Sequence, residues 1–157
     1  MKRLFFYDTN IGKIGIAENG TGITDVYMAD SIEEEVEFIQ ETPLLIEAAK
    51  QLNEYLAGQR IMFDLPLASK GTEFQQKVWN VLKTIPYGET WSYKQVAEAI
   101  GQPTASRAVG MANNKNPIMI IVPCHRVIGS NKKLVGYAGG LEMKEKLLKL
   151  EEGHVKQ

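Results

Sequence analysis

The chain has one cysteine, Cys124, and its neighbours suit it for nucleophilic chemistry. It follows an apolar run, Ile118-Met119-Ile120-Ile121-Val122, and Pro123, and it is followed at once by His125 and Arg126. A lone cysteine is ordinarily a small buried hydrophobe. A base and a cation beside it point elsewhere, because the thiolate is the reactive form and both neighbours favour it. A histidine acting as base needs a carboxylate to orient it. Spacing alone does not select that partner among the seven glutamates that follow residue 68. The plainer alternative is a histidine on the surface beside a strand. With one cysteine and two histidines, His125 and His154, the chain has no internal disulfide and lacks the usual zinc-ligand spacing.

The elements that must position this segment fall into two parts. Residues 1–29 read as strands, with Leu4, Phe6, Ile11, Ile14 and Ile16 as β-formers, a turn at Glu18-Asn19-Gly20 and a second run from Ile23 to Met28. Ser31 and Glu34 form a capping box for a helix over about 32–41. Thr42-Pro43 opens another helix, with Leu45, Ala48, Ala49, Leu52, Tyr55 and Leu56 at helical spacing and Gly58 at its end. Residues 61–66 are expected to form a last short strand, and 67–71 reads as a linker. The first part, 1–68, is therefore an α/β domain, a small mixed sheet with helices.

The second part, 69–157, is mainly α. Thr72 and Gln75 make a capping box before Phe74, Val78, Trp79, Leu82 and Ile85, and Pro86-Tyr87-Gly88 breaks that helix. Ser92 with Gln95 starts the next, to about Ile100; Gly101-Gln102-Pro103 turns the chain, and Thr104 to Asn114 forms another. This is a helix-turn-helix outline. Ala97, Ala99, Ala105, Ala108, Val109 and Ala112 are small enough for close packing. An ordinary helical hairpin has the same outline, but Arg107 and the charge distribution favour a nucleic acid partner. The net charge of −1 conceals 5 basic against 12 acidic residues in 1–68 and 13 against 7 in 69–157. The basic half suits a polyanion. No run approaches the roughly 18 apolar residues of a membrane span. The basic N-terminus meets Asp8 too soon for a signal peptide, so a cytoplasmic protein is expected.

The ordered set Phe74-Gln75, Val78-Trp79, Ile85-Pro86-Tyr87-Gly88, Thr90, Ser92-Tyr93, Arg107-Ala108-Val109, Asn116-Pro117, Pro123-Cys124-His125-Arg126-Val127, Gly136-Tyr137-Ala138-Gly139-Gly140 and Lys144-Glu145-Lys146-Leu147-Leu148 is more specific. It resembles the O6-alkylguanine-DNA alkyltransferase (methylated-DNA–protein-cysteine methyltransferase) family over nearly all of residues 71–152. The resemblance implies a helix-turn-helix, winged-helix-like domain. It implies that Cys124 accepts the alkyl group and that His125 withdraws the thiol proton through a water. Glu151 would orient His125, and Asn116 would tie the helix-turn-helix to the active-site segment. Tyr93 would line the nucleotide pocket and donate a proton to the leaving base. Val127, Tyr137, Ala138 and Gly139 would form the pocket wall.

For DNA the resemblance implies minor-groove docking, with Arg107 filling the stack when the damaged base is flipped out. Ser92, Thr104, Ala105, Gly110 and Arg126 are the further expected DNA contacts. Met119 and Asn113 stand where pocket width could be set. The implied partner is double-stranded DNA carrying O6-alkylguanine, with O4-alkylthymine a second candidate substrate, and a monomer acting once per molecule without a cofactor. The N-terminal residues resemble the family only loosely; residues 1–70 contain no cysteine or histidine, so no zinc is expected there. Three other readings are a lesion binder without transfer, a cysteine hydrolase of small molecules and a sequence-specific helix-turn-helix regulator. The intact Pro-Cys-His-Arg argues against the first. The second predicts turnover without DNA, and the third predicts indifference to lesions.

Overall fold

The computed structural model describes residues 2–29, 39–129 and 140–155, with side chains to Gly153. The chain divides into two compact units, Met1–Lys70 and Gly71–Gln157.

In the first unit, strands β1 (Arg3–Thr9), β2 (Gly12–Glu18) and β3 (Ile23–Met28) form an antiparallel meander in chain order. The β1–β2 turn is closed by Thr9, whose hydroxyl donates to the Gly12 carbonyl at 2.7 Å and accepts from the Ile11 amide at 3.2 Å. Alternation puts Ile14, Ile16 and Val26 on one face, all fully or nearly buried. Helix α1 (Pro43–Leu56) covers that core with Leu45, Ala48, Leu52 and Tyr55. Its start is as expected: Thr42 caps the Leu45 amide and Pro43 occupies the first turn, where its missing N–H costs nothing. The Thr42 hydroxyl also donates to Glu18 at 2.8 Å, which ties the helix to the end of β2.

Two expectations change here. The helix expected over 32–41 falls mostly on residues outside those described; Ile39 makes a single parallel bridge to Leu4. The strand expected over 61–66 is absent. The segment bends at Ile61 and Met62 and pairs only at Leu67, which bridges Ile23. The reason is local competition. The Gln51 amide on α1 donates to the Asp64 carbonyl at 3.1 Å and accepts from its N–H at 2.9 Å, consuming the groups a ladder would use. Pro66 has no N–H to offer.

The second unit begins with α2 (Glu73–Leu82), capped reciprocally by Thr72 and Gln75. Strand β4 (Trp91–Ser92) leads directly into α3 (Tyr93–Ala99), capped by the Ser92–Gln95 box. After a turn through Gly101 (φ 78°) comes α4 (Ser106–Asn114). It starts two residues later than expected, with Ala105 at its N-cap and no side-chain cap. Strand β5 (Val127–Ile128) pairs in parallel with β4, and α5 (Leu141–Val155) closes the described chain. The core gathers Val78, Leu82, Ile85, Val96, Val109 and Ile118. The Trp79 indole donates to the Ala112 carbonyl at 2.8 Å, fixing α2 on α4. No helix among the described residues is long and apolar enough to cross a membrane.

Gly22 supplies a test of packing in the first unit. A Cβ there would lie 2.8 Å from the Pro66 carbonyl carbon and oxygen, backbone atoms held by the Ile23–Leu67 bridge. Gly22→Ala is expected to destabilise by about 1–3 kcal/mol in urea unfolding. Gly153→Ala, with nothing within 4 Å, should be neutral or slightly stabilising. Equal midpoints for the two variants would contradict this packing.

Candidate active site

The apolar run before the cysteine is buried, as expected, but it is wound into successive turns. Ile121 N–H donates to Met119 O at 2.8 Å, Val122 N–H to Ile118 O at 3.1 Å and Cys124 N–H to Val122 O at 2.8 Å. Ile120 takes φ 72°, a left-handed value strained for a β-branched residue. Such a segment buries backbone polar groups that need partners. Asn116 provides them. Its Oδ1 accepts from Ile118 N–H at 3.0 Å, and its Nδ2 donates to Ile118 O at 3.3 Å and Val122 O at 2.9 Å.

Pro123 then starts a single 3-10 turn, Cys124–Arg126, that runs into β5. Cys124 and His125 are both buried, and a surface histidine is thereby ruled out. The Cys124 carbonyl accepts from Val127 N–H and from Asn113 Nδ2 at 3.4 Å. Asn113, at the end of α4 where pocket width could be set, is a buried link from that helix to the cysteine backbone. Met119 is buried as well.

The carboxylate partner is Glu151 on α5. His125 Nε2 lies 2.6 Å from Glu151 Oε2. The same carboxylate accepts from Arg126 Nε at 2.8 Å on Oε1 and from Arg126 Nη2 at 3.0 Å on Oε2. A fourth donor is Gly88 N–H, 3.3 Å from Oε1. Gly88 holds φ 85°, a conformation open to glycine, at the end of the Ile85-Pro86-Tyr87-Gly88 break. Arg126 Nη1 donates to Ile85 O at 2.7 Å, and its guanidinium carbon stands 5.5 Å from the Tyr87 ring centroid. Arg126 was expected on DNA. That assignment is corrected: the side chain is buried and its fork is directed to Glu151 and Ile85.

The electrostatics follow from this packing. Burial lowers the His125 pKa below its usual value; the hydrogen bond and charge of Glu151 oppose that, while Arg126 and Lys144 add to it. Burial works to raise Glu151, but its hydrogen bonds and charge contacts with His125 and Arg126 outweigh it and bring the carboxyl to about 2. Lys144, fully buried on α5, donates to Val127 O at 2.5 Å, and burial brings its amine down to about 8 against the opposing charge of Cys124. Sequence reasoning missed Lys144 because it sits in a charged run. The available signal was helical phase: Lys144, Leu147 and Glu151 share one face.

Tyr93, first residue of α3, is placed by the β4–β5 pairing of Trp91 with Val127 and Ser92 with Ile128. Burial and then the charge of Cys124 raise its phenol. Its ring also faces α4: a Cβ at Gly110 would sit 3.7 Å from Tyr93 Cε1. Val127 is buried. Arg107 and Thr104 are exposed, while Ser92, Ala105 and Gly110 are partly so. The Ser92 oxygen accepts from Gln95 N–H at 3.1 Å as the cap. Tyr137, Ala138 and Gly139 lie outside the described residues.

Buried thiol, histidine and carboxylate beside a helix-turn-helix define a cysteine-dependent site on a DNA-binding scaffold. Residues 73–153 match the model of the 6-O-methylguanine DNA methyltransferase DNA binding domain, and residues 3–69 match that of its ribonuclease-like domain. The chain belongs to the 6-O-methylguanine DNA methyltransferase family, whose members are also named methylated-DNA–protein-cysteine methyltransferases. It is 53% identical over 148 residues to the Methanosarcina acetivorans methylated-DNA–protein-cysteine methyltransferase, covering 92% of this chain and 95% of that one. It is 50% identical over 151 residues to the constitutive enzyme of Bacillus subtilis, covering 92% of each. The crystal structure of Mycobacterium tuberculosis O6-methylguanine methyltransferase superposes with TM-score 0.92 at 45% identity, over 99% of this chain and 95% of that one. The Mycobacterium tuberculosis protein in complex with DNA gives 0.91 at 45% identity, over 97% and 94%.

Both acidic-range shifts have one sign for stability. His125 is harder to protonate in the folded state than at its ordinary 6.5, so the unfolded chain binds more protons as pH falls below that value. The Glu151 contribution is complete above 4.5 and is lost as pH falls toward about 2. The thermal midpoint is therefore expected to drop from pH 7 to pH 3. Glu151→Gln should cost roughly 3–5 kcal/mol at pH 7, as for a broken buried pair, and the gap to wild type should narrow in acid. Calorimetry across that range checks it; a gap independent of pH would contradict the assignment.

Proposed function

We propose that this chain repairs DNA by direct, irreversible transfer of an alkyl group from the O6 position of guanine to Cys124. The observation that carries the reading is the sole cysteine buried next to a histidine that is hydrogen-bonded at 2.6 Å to an ionised carboxylate. With Glu151 ionised, the proton between the two belongs on His125 Nε2, which leaves Nδ1 to receive the thiol proton, through a water. Sulfur then attacks the saturated alkyl carbon. The S–C bond forms as the C–O bond breaks, and the electron pair leaves with the guanine. Tyr93, whose phenol keeps its proton near a thiolate, returns a proton to the base. The product is a thioether, so each molecule acts once. The family membership and the DNA complex of a close relative support this reading.

The O6 atom lies within the paired duplex, so the base must be extruded at a cost of a few kcal/mol. We assign Arg107, exposed on α4, to the vacated stack, with Ser92, Thr104, Ala105 and Gly110 along the minor-groove contact. Val127 and the Tyr137-Ala138-Gly139 segment are assigned to the pocket wall and Asn116 to holding the turns before Cys124. In this reading residues 69–157 carry DNA binding and transfer, residues 1–68 are structural, and the protein works as a monomer in the cytoplasm, where a free thiol stays reduced. Its substrate range extends in principle to O4-alkylthymine.

Incubation with an oligonucleotide carrying one O6-methylguanine should add one methyl group to Cys124, saturating at one equivalent by intact mass. Cys124→Ala should bind the lesion without transfer. Continued turnover, or no mass gain by the wild type, would sink the proposal.

A further inference from the structure

Arg126 is a charged member of this site to which transfer chemistry gives no direct role. It is buried, and its donors are spread over a carboxylate and a backbone carbonyl. We infer that Arg126 is a positioning residue of the proton relay: by gripping both oxygens of Glu151 it aims Oε2 at His125 Nε2 and keeps the imidazole neutral at rest, so that it can take the thiol proton. The inference rests on the reading of Cys124 as nucleophile given above.

Geometry carries the first half. A carboxylate held by one histidine can rotate about its last torsion and present either oxygen. Here each oxygen has two donors. Oε1 accepts from Arg126 Nε and Gly88 N–H, and Oε2 from Arg126 Nη2 and His125 Nε2. Arg126 is itself anchored to Ile85 O and lies against Tyr87. The fork therefore sets the carboxylate plane, and the carboxylate plane sets the histidine tautomer.

Charge carries the second half. Among the described residues the charges acting on His125 are Glu151 and Lys144 from α5 and Arg126 from its own turn, with Cys124 adjacent in the chain and Tyr87 beside Arg126. With Arg126 present, Glu151 is neutralised before any proton moves. Without it, the buried carboxylate is left with one fewer cation, and it would recruit a proton onto His125. A histidine already protonated cannot accept from the thiol. The direction of the Arg126 effect on His125 agrees, since its charge opposes protonation.

The test is the single-turnover transfer rate against pH for wild type, Arg126→Gln and Arg126→Lys, on an oligonucleotide with one O6-methylguanine. Arg126→Gln is expected to move the acid limb up by about one pH unit, which lowers the rate on that limb about tenfold. Arg126→Lys restores the cation without the fork, so it should return the limb toward its wild-type position while transfer stays slower. A folded Arg126→Gln protein whose limb is unmoved overturns the inference, even if it is slower or less stable. Because Arg126→Gln can fail to fold, nitrogen NMR on the Arg126-intact His154→Gln protein gives a second reading. A neutral His125 with its proton on Nε2 at pH 7 in that protein, and a mixture of tautomers once Arg126→Lys is added, supports the inference; an imidazolium, a proton on Nδ1, or a tautomer unmoved by Arg126→Lys overturns it. Absence of methyl gain by the wild type would instead defeat the transferase reading, and the NMR result would still decide the role of Arg126.

Discussion

A carboxylate that is almost entirely buried needs its charge met on every side, and Glu151 is the place where this requirement organises the second unit. Its four donors come from separate stretches of chain. Gly88 closes the break after α2, and His125 and Arg126 belong to the 3-10 turn. Glu151 itself rides on α5 with Lys144, which reaches the Val127 carbonyl at the start of β5. The charge thus fixes three segments against one another. Any one of them displaced would leave a buried ion short of a partner, a loss of several kcal/mol. This over-determination lets a side chain as short as cysteine be held at a set place without a rigid strand beneath it.

The approach to Cys124 obeys a second constraint, the pairing of backbone groups. Ile118 to Val122 must be buried because they are apolar, yet five buried peptide units carry donors and acceptors with no sheet to join. Turns satisfy some of them and the Asn116 amide satisfies others. The left-handed Ile120 is the residual strain, worth about 1–3 kcal/mol. A buried cysteine at the end of such a segment is placed where the turns direct it. Asn113 then joins its carbonyl to α4, the helix that also carries Arg107. The thiol and α4, the helix assigned above to DNA, are consequently parts of one hydrogen-bonded assembly.

What could be read in advance follows the range of the forces involved. Thr42 with Pro43, Thr72 with Gln75 and Ser92 with Gln95 act over three residues, and their caps appear where expected. The order of motifs around Cys124 carried the family. Long-range polar competition was invisible. Nothing in residues 61–66 announces that Gln51 will occupy the backbone of Asp64. Arg126 looks like a DNA contact because it is a cation in a basic half, and only the fold reveals Glu151 beside it. Lys144 hides among Glu142, Glu145 and Lys146, whose exposure is what the run suggests. In each case a polar side chain was placed by what surrounds it in space, and its neighbours in sequence were misleading.

The same network bears on why the proposed reaction would occur once. Counting charge through the steps, the thiol proton moves to His125 while Glu151 and Arg126 keep their charges, so the buried site is unchanged in total. When the departing guanine takes its proton from Tyr93 and the proton held by His125 replaces the one Tyr93 lost, the relay is back at its starting state. Every titratable group is reset. The one lasting change is at sulfur, where a thioether has replaced the thiol. A thioether has no acidic proton for His125 to remove, and the relay consists only of groups that move protons. The arrangement that makes Cys124 a nucleophile therefore holds no group able to cleave the bond it forms, and capacity for repair equals the number of molecules.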